Sequence, residues 1–182
     1  RAFFKAITTG VPYVTVKVGM SLDAKLALAS FESKWITGTK SREHVQKIRA
    51  MSDCIITGVN TVMADDPQMT VRYRDLSPKV SAKINKAEIR QPLKVILDAH
   101  ARIDFSRYRI FKQGMSIIVN GTEDPGLYGK EEILNQHARR VYMPYAGDYD
   151  YIDLKAVLSY LGQLKIRRVM VEAGSTLTSA FI

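Results

Sequence analysis

Between Arg49 and Arg72 the chain reads RAMSDCIITGVNTVMADDPQMTVR, an apolar run that opens into a polar connection. The run Cys54–Ile56, with Thr57 and Gly58 behind it, is typical of a buried parallel strand that ends in a turn. Ligands bind beyond the carboxyl ends of such strands in open α/β sheets, so we expect chemistry in this connection. Its polar and turn-forming residues are Asn60, Thr61, Asp65, Asp66, Pro67, Thr70 and Arg72.

Further strands and helices alternate along the rest of the chain. Alternating or continuous apolar residues predict strands at Tyr13–Val18, Leu93–Leu97, Ser116–Val119, Val141–Met143 and Val169–Val171. Helical spacing and capping residues predict helices at Ser41–Ala50, Thr61–Ala64, Glu131–Arg139 and Leu154–Leu164, and another that opens at Ser175. We interpret the polar, basic segment from Asp75 to Gln91 as a mobile loop outside the core. The alternation predicts parallel pairing and a layered α/β fold.

Size and composition restrict the class of protein. The 182 residues, 46% hydrophobic and 25% charged, suit a single globular domain. No run of about 18 apolar residues is present, and the N-terminal residues lack the apolar core of a secretory signal, so we expect no membrane span and a cytoplasmic location. The single Cys54 and the three separated histidines argue against a disulfide and a metal site. The first residue, Arg1, and the apolar end at Ile182 suggest that both ends were cut from a longer polypeptide.

Positive charge is concentrated in one part of the chain. The net charge is +9, and the stretch from Arg72 to Lys112 holds eleven Lys or Arg against four Asp or Glu. This stretch has neither an RNP-like aromatic motif nor a recognisable helix-turn-helix, so a solvated basic loop is a better interpretation than a nucleic-acid site. Small polyanions such as phosphorylated substrates and dinucleotides are the expected partners.

The turn VEAGST follows the last predicted strand and has two interpretations. Glu172 ends the strand, Gly174 follows, and Ser175, Thr176 and Thr178 open a helix, where backbone N–H groups favour phosphate. The same residues also make an ordinary turn and N-cap. On residues alone the two interpretations are about even, and the GxGxxG fingerprint of the ordinary Rossmann fold is absent.

Three other features allow more than one role. Asp65 and Asp66 could serve as an acid/base pair or as metal ligands, but in Asp-Asp-Pro a turn is the usual role, so at most one is expected to meet a ligand. Arg49 and Arg72 mean little singly, although two converging arginines would suit a phosphate monoester. Trp35, the only Trp, either packs in a core or lid or stacks on a cofactor ring.

Five segments in order give the chain a family resemblance. They are PYVTVKVGMSLDAKLA (12–27), ESKWIT (32–37), TVMADDPQMTVR (61–72), LKVILDA (93–99) and VEAGSTLTSAF (171–181). With them the chain resembles the reductase domain of the RibD family of bacterial bifunctional riboflavin biosynthesis proteins. The resemblance implies an α/β, dihydrofolate-reductase-like three-layer fold with a mostly parallel central sheet. It also implies NADPH as cofactor and reduction of 5-amino-6-(5-phosphoribosylamino)uracil, a phosphorylated pyrimidine, to the ribitylamino compound.

Roles for individual residues follow from the resemblance. It places the cofactor on Met20, Trp35, Thr61, Asp65, Ala99 and the turn Gly174, Ser175, Thr176, Leu177, Thr178, Ser179 and Ala180. It places the substrate on Ser33, Arg49, Met69, Arg72 and Glu172. It implies no metal in this domain, a homo-oligomer, a deaminase domain on the same full-length chain, and strands beyond Ile182. Ala24 and Ala173 stand where the family usually or often has Gly, and Ala99 where it often has Ser, so a side-chain hydrogen bond to the cofactor at Ala99 is in doubt.

Two residues are candidates for catalysis itself. Glu172 and Lys17 lie on strands that face the predicted cleft, and we expect Glu172 to hold the ribosylamine nitrogen or a ribose hydroxyl. Lys17 is expected to polarise the sugar oxygens or assist proton transfer as the ring opens. The competing functions are a pterin reductase of the same fold, a non-catalytic NADPH-binding fragment and, least favoured, a nucleic-acid binder.

Overall fold

A seven-stranded sheet forms the centre of the computed structural model, which describes residues 1–30, 32–33, 35–147 and 150–182. Its strands are β1 (Tyr13–Lys17), β2 (Cys54–Gly58), β3 (Leu93–Leu97), β4 (Ser116–Thr122), β5 (Glu131–Asn135), β6 (Ala138–Pro144) and β7 (Arg168–Glu172). They lie in the order β1-β7-β2-β3-β4-β6-β5. Every neighbouring pair is parallel except β5 and β6. The predicted parallel α/β arrangement is therefore confirmed.

Helices cover both faces of this sheet. They are α1 (Ala2–Thr9), α2 (Thr39–Met51), α3 (Val59–Asp65), α4 (Pro78–Ser81), α5 (Leu154–Gln163) and α6 (Ser175–Ala180). Helix α5 begins as predicted, because Asp153 caps it by accepting from the N–H groups of Lys155 at 2.7 Å and Ala156 at 3.3 Å. Helix α1 was not predicted. None of the helices in the described ranges has both the length and the apolar composition needed to cross a membrane.

Two hydrophobic cores separate the sheet from its helices. On one face Ile56, Val95 and Val171 pack with Val157 and Leu161 of α5. On the other face Ile55, Ile96 and Ile118 pack with Val59 and Val62 of α3 and with Phe111. Each fully buried side chain of this size contributes roughly 1.5–3 kcal/mol through burial. The alternation of β2 and β3 residues between the two cores explains why these strands are apolar throughout, and it gives the three layers of the fold.

The prediction of a helix at Glu131–Arg139 is wrong. This stretch forms the antiparallel hairpin β5–β6, in which Arg139 binds Glu131 and Arg140 binds Glu132, each at 2.9 Å across the strands. Asn135 forms the turn by accepting from the backbone N–H of His137 at 2.7 Å. Ala138, Val141 and Met143 of β6 are buried. This burial is that of a strand that borders the core rather than that of a helix.

The segment from Asp75 to Gln91 lies outside both hydrophobic cores, as predicted, but it contains short helical turns and makes specific contacts near both ends. Leu76 is buried at its start. The Tyr73 hydroxyl donates to the carbonyl oxygen of Ser81 at 3.0 Å. At its other end the Gln91 amide accepts from the N–H of Val71 at 2.8 Å and donates to its carbonyl oxygen at 3.1 Å. Single helical turns at Tyr73–Asp75 and Lys86–Glu88 interrupt the segment, and α4 lies between them.

A close backbone approach joins α5 to the end of α1. A Cβ atom added to Gly162 would clash with the carbonyl oxygen of Gly10. Gly10 itself ends α1 in the left-handed conformation, with φ of 71°, and its N–H donates to Ala6. The two glycines therefore allow the N-terminal helix to pack beside the sheet just before β1 begins.

Candidate functional site

A cleft of about 810 Å³ opens beyond the carboxyl ends of β1, β7 and β2. Ten of the predicted site residues line it: Lys17, Ser33, Trp35, Arg49, Thr61, Asp65, Met69, Arg72, Glu172 and Gly174. Met20, Ala99 and the residues Ser175–Ala180 do not line it. The structure thus brings together all the predicted substrate residues and part of the predicted cofactor set.

Strand register places the two candidate catalytic residues side by side. Lys17 and Glu172 are paired neighbours at the ends of β1 and β7. The Lys17 Nζ lies 3.2 Å from Glu172 Oε1. Because the strands are parallel, both side chains emerge at the same edge of the sheet and reach the floor of the cleft.

Arg49 closes this cluster from the end of α2. Its Nε donates to Glu172 Oε2 and its Nη2 to Oε1, both at 2.9 Å. Its Nη1 donates to the carbonyl oxygen of Thr70 at 3.0 Å, and Nη2 also contacts the Met69 sulfur at 3.9 Å. Arg49 is only 8% exposed. These contacts leave one N–H of Nη1 for a ligand, so the charge of Arg49 is largely balanced by Glu172.

The cluster keeps Glu172 ionised. Burial by itself raises the pKa of this carboxyl, but the charges and hydrogen bonds of Arg49 and Lys17 outweigh burial and hold the pKa below its ordinary value of 4.5. A buried carboxylate with two cationic partners is a strong hydrogen-bond acceptor at neutral pH. Glu172 is therefore suited to bind an N–H or O–H of a ligand.

The two adjacent aspartates have separate positions. Asp65 lines the cleft, whereas Asp66 ends α3 in the left-handed conformation with φ of 41°. The Asp66 carboxylate accepts from the backbone N–H of Arg109 at 2.7 Å and from its Nε at 2.9 Å. The Arg109 guanidinium also donates to the Asp66 carbonyl oxygen. The role of Asp66 in the turn is thus confirmed, and Arg109 holds that turn in place.

Arg72 lies on the open side of the cleft. Its side chain is 41% exposed and pairs with Asp75, whose other carboxylate oxygen lies 3.6 Å from the Nε of Arg74. Arg42, Arg74 and Arg109 line the cleft as well, and sequence reasoning did not single them out. The local excess of positive charge after Arg72 was a signal for two of these three, although it could not show which arginines face the cleft.

Trp35 is a rim residue of the cleft. Its side chain is 73% exposed, so the interpretation as a core residue is wrong. The guanidinium carbon of Arg42 lies 4.4 Å from the centroid of the Trp35 ring. An exposed indole beside a cleft is a suitable platform for a planar ring.

The VEAGST turn borders the cleft next to α3. The N–H of Gly174 donates to the Thr61 hydroxyl at 3.3 Å. Gly174 is the N-cap of α6, and no side chain caps this helix. Thr178 instead donates to the carbonyl oxygen of Ala173 at 3.3 Å. The N-cap role proposed for the hydroxyl residues is therefore not formed.

Ala99 and Met20 lie apart from the lining of the cleft. The carbonyl oxygen of Ala99 accepts from the N–H of Gly121 at 3.1 Å and from the Tyr145 hydroxyl at 3.4 Å. The neighbouring Asp98 is buried, and its carboxylate accepts from the N–H of Ile103 at 2.8 Å. The end of β3 is thus occupied by internal hydrogen bonds. Met20 is 56% exposed in the connection after β1.

Within the described residues, no group of three or more His, Cys, Asp or Glu side chains is arranged to hold a metal ion. Burial raises the pKa of the Cys54 thiol far above its ordinary value, so it remains protonated in the core.

Comparison with known proteins shows sequences and a domain family to which the chain is similar. The family described as the RibD C-terminal domain matches residues 12–182. The chain is 34% identical to riboflavin biosynthesis protein RibD of Escherichia coli (strain K12), covering 100% of this chain and 47% of that protein. It is 31% identical to 5-amino-6-(5-phosphoribosylamino)uracil reductase of Buchnera aphidicola subsp. Acyrthosiphon pisum, covering 81% of this chain and 67% of that protein.

A solved structure shares the architecture. Form 1 of Acinetobacter baumannii RibD superposes with a TM-score of 0.76 at 36% identity, over 99% of this chain and 45% of that one. The dihydrofolate-reductase-like fold expected from the sequence is confirmed by this likeness. The chain spans about half the length of the RibD relatives it matches.

Proposed function

Because this chain belongs to the RibD C-terminal domain family, we propose that it reduces the ribosyl group of 5-amino-6-(5-phosphoribosylamino)uracil to the ribitylamino product with NADPH. The observation that carries the proposal is the cluster of Lys17, Arg49 and Glu172 at the cleft floor. The name of the Buchnera relative states this reductase activity. A deaminase domain on the same full-length chain belongs to the same proposal, since the RibD relatives are about twice as long. The homo-oligomer stays a prediction from the family resemblance.

The residues present fit a nicotinamide dinucleotide. A cleft of this size lies in the usual range of about 300–1,000 Å³ for small-molecule sites. Trp35 offers an exposed ring face, Thr61 a hydroxyl, and Gly174, next to Thr61, a backbone without a side chain. When bound, NADPH would supply the hydride. The chain's own task is to place the sugar carbon, stabilise charge and exclude water.

Glu172 and Lys17 would act on the sugar. The ionised Glu172 accepts a hydrogen bond from the ribosylamine N–H or from a ribose hydroxyl and so fixes the sugar against the cleft floor. Lys17 Nζ is next to it and donates to the ring oxygen, which needs a proton when the closed glycosylamine opens to an imine. Opening the ring leaves C1 of the ribose electrophilic and open to reduction.

Arg72 is the better of the two arginines for the substrate phosphate. Its pairing with Asp75 is partly exposed, and such ion pairs are worth little and exchange readily. Arg49 retains a single unpaired N–H, so we assign it mainly to Glu172. Ser33 and Met69 also line the cleft and complete the proposed substrate side.

The test follows NADPH absorbance with the full-length chain. Turnover with the phosphoribosylaminouracil and none with dihydrofolate is expected, whereas the reverse preference would indicate a pterin reductase. Glu172→Gln should reduce kcat strongly while the affinity for NADPH changes little. NADPH binding without any oxidation would contradict the proposed activity and leave only a binding domain.

A further inference from the structure

We propose that Arg42 is a positioning residue that holds the Trp35 indole at the rim of the cleft and leaves one face of the ring open to a ligand. The identity of that ligand rests on the proposed function, in which a planar ring of the nicotinamide dinucleotide stacks there. The position of the indole itself rests only on the contacts of Arg42.

Arg42 makes three contacts with one short segment. Its Nη1 donates to the carbonyl oxygen of Thr37 at 2.7 Å and its Nη2 to the Thr39 hydroxyl at 3.1 Å. Its guanidinium carbon lies 4.4 Å from the Trp35 ring centroid. The planar guanidinium thus binds Trp35, Thr37 and Thr39 at once, which the single ammonium group of lysine could not do in the same geometry.

The location of Arg42 indicates that these contacts are its role. It lies in the first turn of α2, which contains no acidic residue. A cation there opposes the helix dipole, so Arg42 does not serve the stability of the helix itself. Among the described residues no carboxylate lies within ion-pair distance of Arg42. Its charge is therefore directed to the indole face and the carbonyl oxygen of Thr37.

The indole requires such support. It is 73% exposed and belongs to neither hydrophobic core. An exposed aromatic side chain would otherwise exchange between rotamers, and a ligand that stacks on it would have to order it first. Arg42 covers one face of the ring, so only the opposite face remains for a planar ligand. Both Arg42 and Trp35 line the cleft.

The experiment uses the full-length chain and four variants: Arg42→Ala, Arg42→Lys, Thr39→Val and, as matched control, Lys40→Ala. Lys40 is exposed in the same turn of α2 and does not line the cleft. The spectrum of the same protein carrying Trp35→Phe in addition is subtracted from that of each variant. The difference is the emission of Trp35 alone, without that of any other tryptophan. The first readout, taken without cofactor, is fluorescence anisotropy and quenching by iodide.

In the free protein, Arg42→Ala is expected to lower the anisotropy of Trp35 and to increase its quenching, while Lys40→Ala leaves both unchanged. The KM for NADPH should then rise about two- to fivefold, the scale of an exposed cation–π contact, with kcat and the KM for the pyrimidine changing less than about twofold. Arg42→Lys should fall between the wild type and Arg42→Ala, because it keeps the charge but loses the planar contacts.

Three outcomes would overturn the role of Arg42. The first is an unchanged anisotropy in Arg42→Ala, and the second is an equal rise in the KM values for NADPH and the pyrimidine. The third is wild-type anisotropy and wild-type KM for NADPH in Arg42→Lys, which would leave the positive charge alone as the cause. If Arg42→Ala does not fold, Thr39→Val, which removes only the Nη2 acceptor, must show the smaller change in the same direction. Loss of the proposed function is distinguishable, since the anisotropy effect would then persist in a chain that does not oxidise NADPH.

Discussion

Arg49 and Glu172 lie 123 residues apart in the chain and form two parallel hydrogen bonds of 2.9 Å in the cleft. Replacing Arg49 with Lys keeps the charge and loses this paired geometry. The burial that raises the pKa of Glu172 is then less well opposed, so its pKa should rise. Activity that needs the carboxylate is lost as pH falls through that pKa, and the acid limb of the kcat profile should therefore move to higher pH.

The control for this prediction is Lys47→Ala, an exposed residue of the same helix. Its pH profile should match that of the wild type. An acid limb that stays in place in Arg49→Lys would show that Arg49 does not govern the ionisation of Glu172. We also expect kcat to fall in this variant by more than about tenfold, because a misplaced carboxylate no longer holds the sugar.

Arg72 gives a prediction about substrate recognition. Its substitution by Ala should raise the KM for the phosphorylated pyrimidine by about 10–100-fold, the cost of losing one charge-assisted contact to phosphate. The KM for NADPH should change far less, since Trp35, Thr61 and Gly174 remain in place. Steady-state kinetics with each reactant varied in turn measures both values. A rise of equal size in the two would remove Arg72 from the phosphate site.

Gly162→Ala gives a prediction about stability. It should lower the free energy of unfolding, although helix propensity alone would raise it. In an open helix Gly→Ala would stabilise by about 1 kcal/mol. Here the new Cβ would clash with the Gly10 carbonyl oxygen, so the backbone must move, and we expect a loss of about 2 kcal/mol or more. Urea unfolding measures the change. Ser159→Ala, at an exposed position in α5, is the control and should be neutral or slightly stabilising.

Lys94 gives a prediction about alkaline stability. It is buried in β3, and its Nζ donates to the carbonyl oxygens of Ile110 and Gln113. Burial lowers the pKa of Lys94 from 10.5 to about 8. Between these values the unfolded chain binds the proton that the folded chain has released, so this residue's contribution to the free energy of unfolding increases as pH rises.

Lys94→Met removes this titration and serves as the comparison. The free energy of unfolding of the wild type minus that of Lys94→Met should increase by about 2 kcal/mol from pH 7.5 to pH 10. Using the difference cancels the titration of tyrosines and other lysines. A difference that is flat across this range would mean that Lys94 keeps its proton in the folded protein.

Local patterns predicted most of the central sheet. The isoleucines of β2 and the apolar run of β3 specify buried strands whatever their neighbours, and Asp153 specifies the start of α5. The strand at Val141–Met143 was predicted within β6, whereas β5 and the first residues of β6 were missed because Glu131 and Glu132 have no apolar alternation. Their strand conformation depends on arginines in the next strand, and tertiary pairing of this kind overrides local propensity.

The site shows the same difference between what local sequence patterns specify and what tertiary packing specifies. Family motifs named Arg49 and Glu172, but no local pattern shows that they bind each other, because the contact depends on how α2 packs near β7. The sequence did not predict a role for Arg42, because an arginine in the first turn of a helix is usually a solvated surface residue. Its partners Trp35 and Thr37 lie in an irregular segment whose course no periodicity specifies.

The strand order also determines when the cleft can exist during synthesis. β7 lies between the edge strand β1 and β2, so the gap between those two strands stays open until the nascent chain has passed Glu172. At ~5–20 residues per second, the ribosome needs roughly 6–25 s to travel the 123 residues from Arg49 to its carboxylate partner. During that time β1 lacks its only neighbour in the sheet and β2 has one edge free. Recruitment of chaperones to the newborn chain should be greatest in this interval and should decline once β7 is inserted.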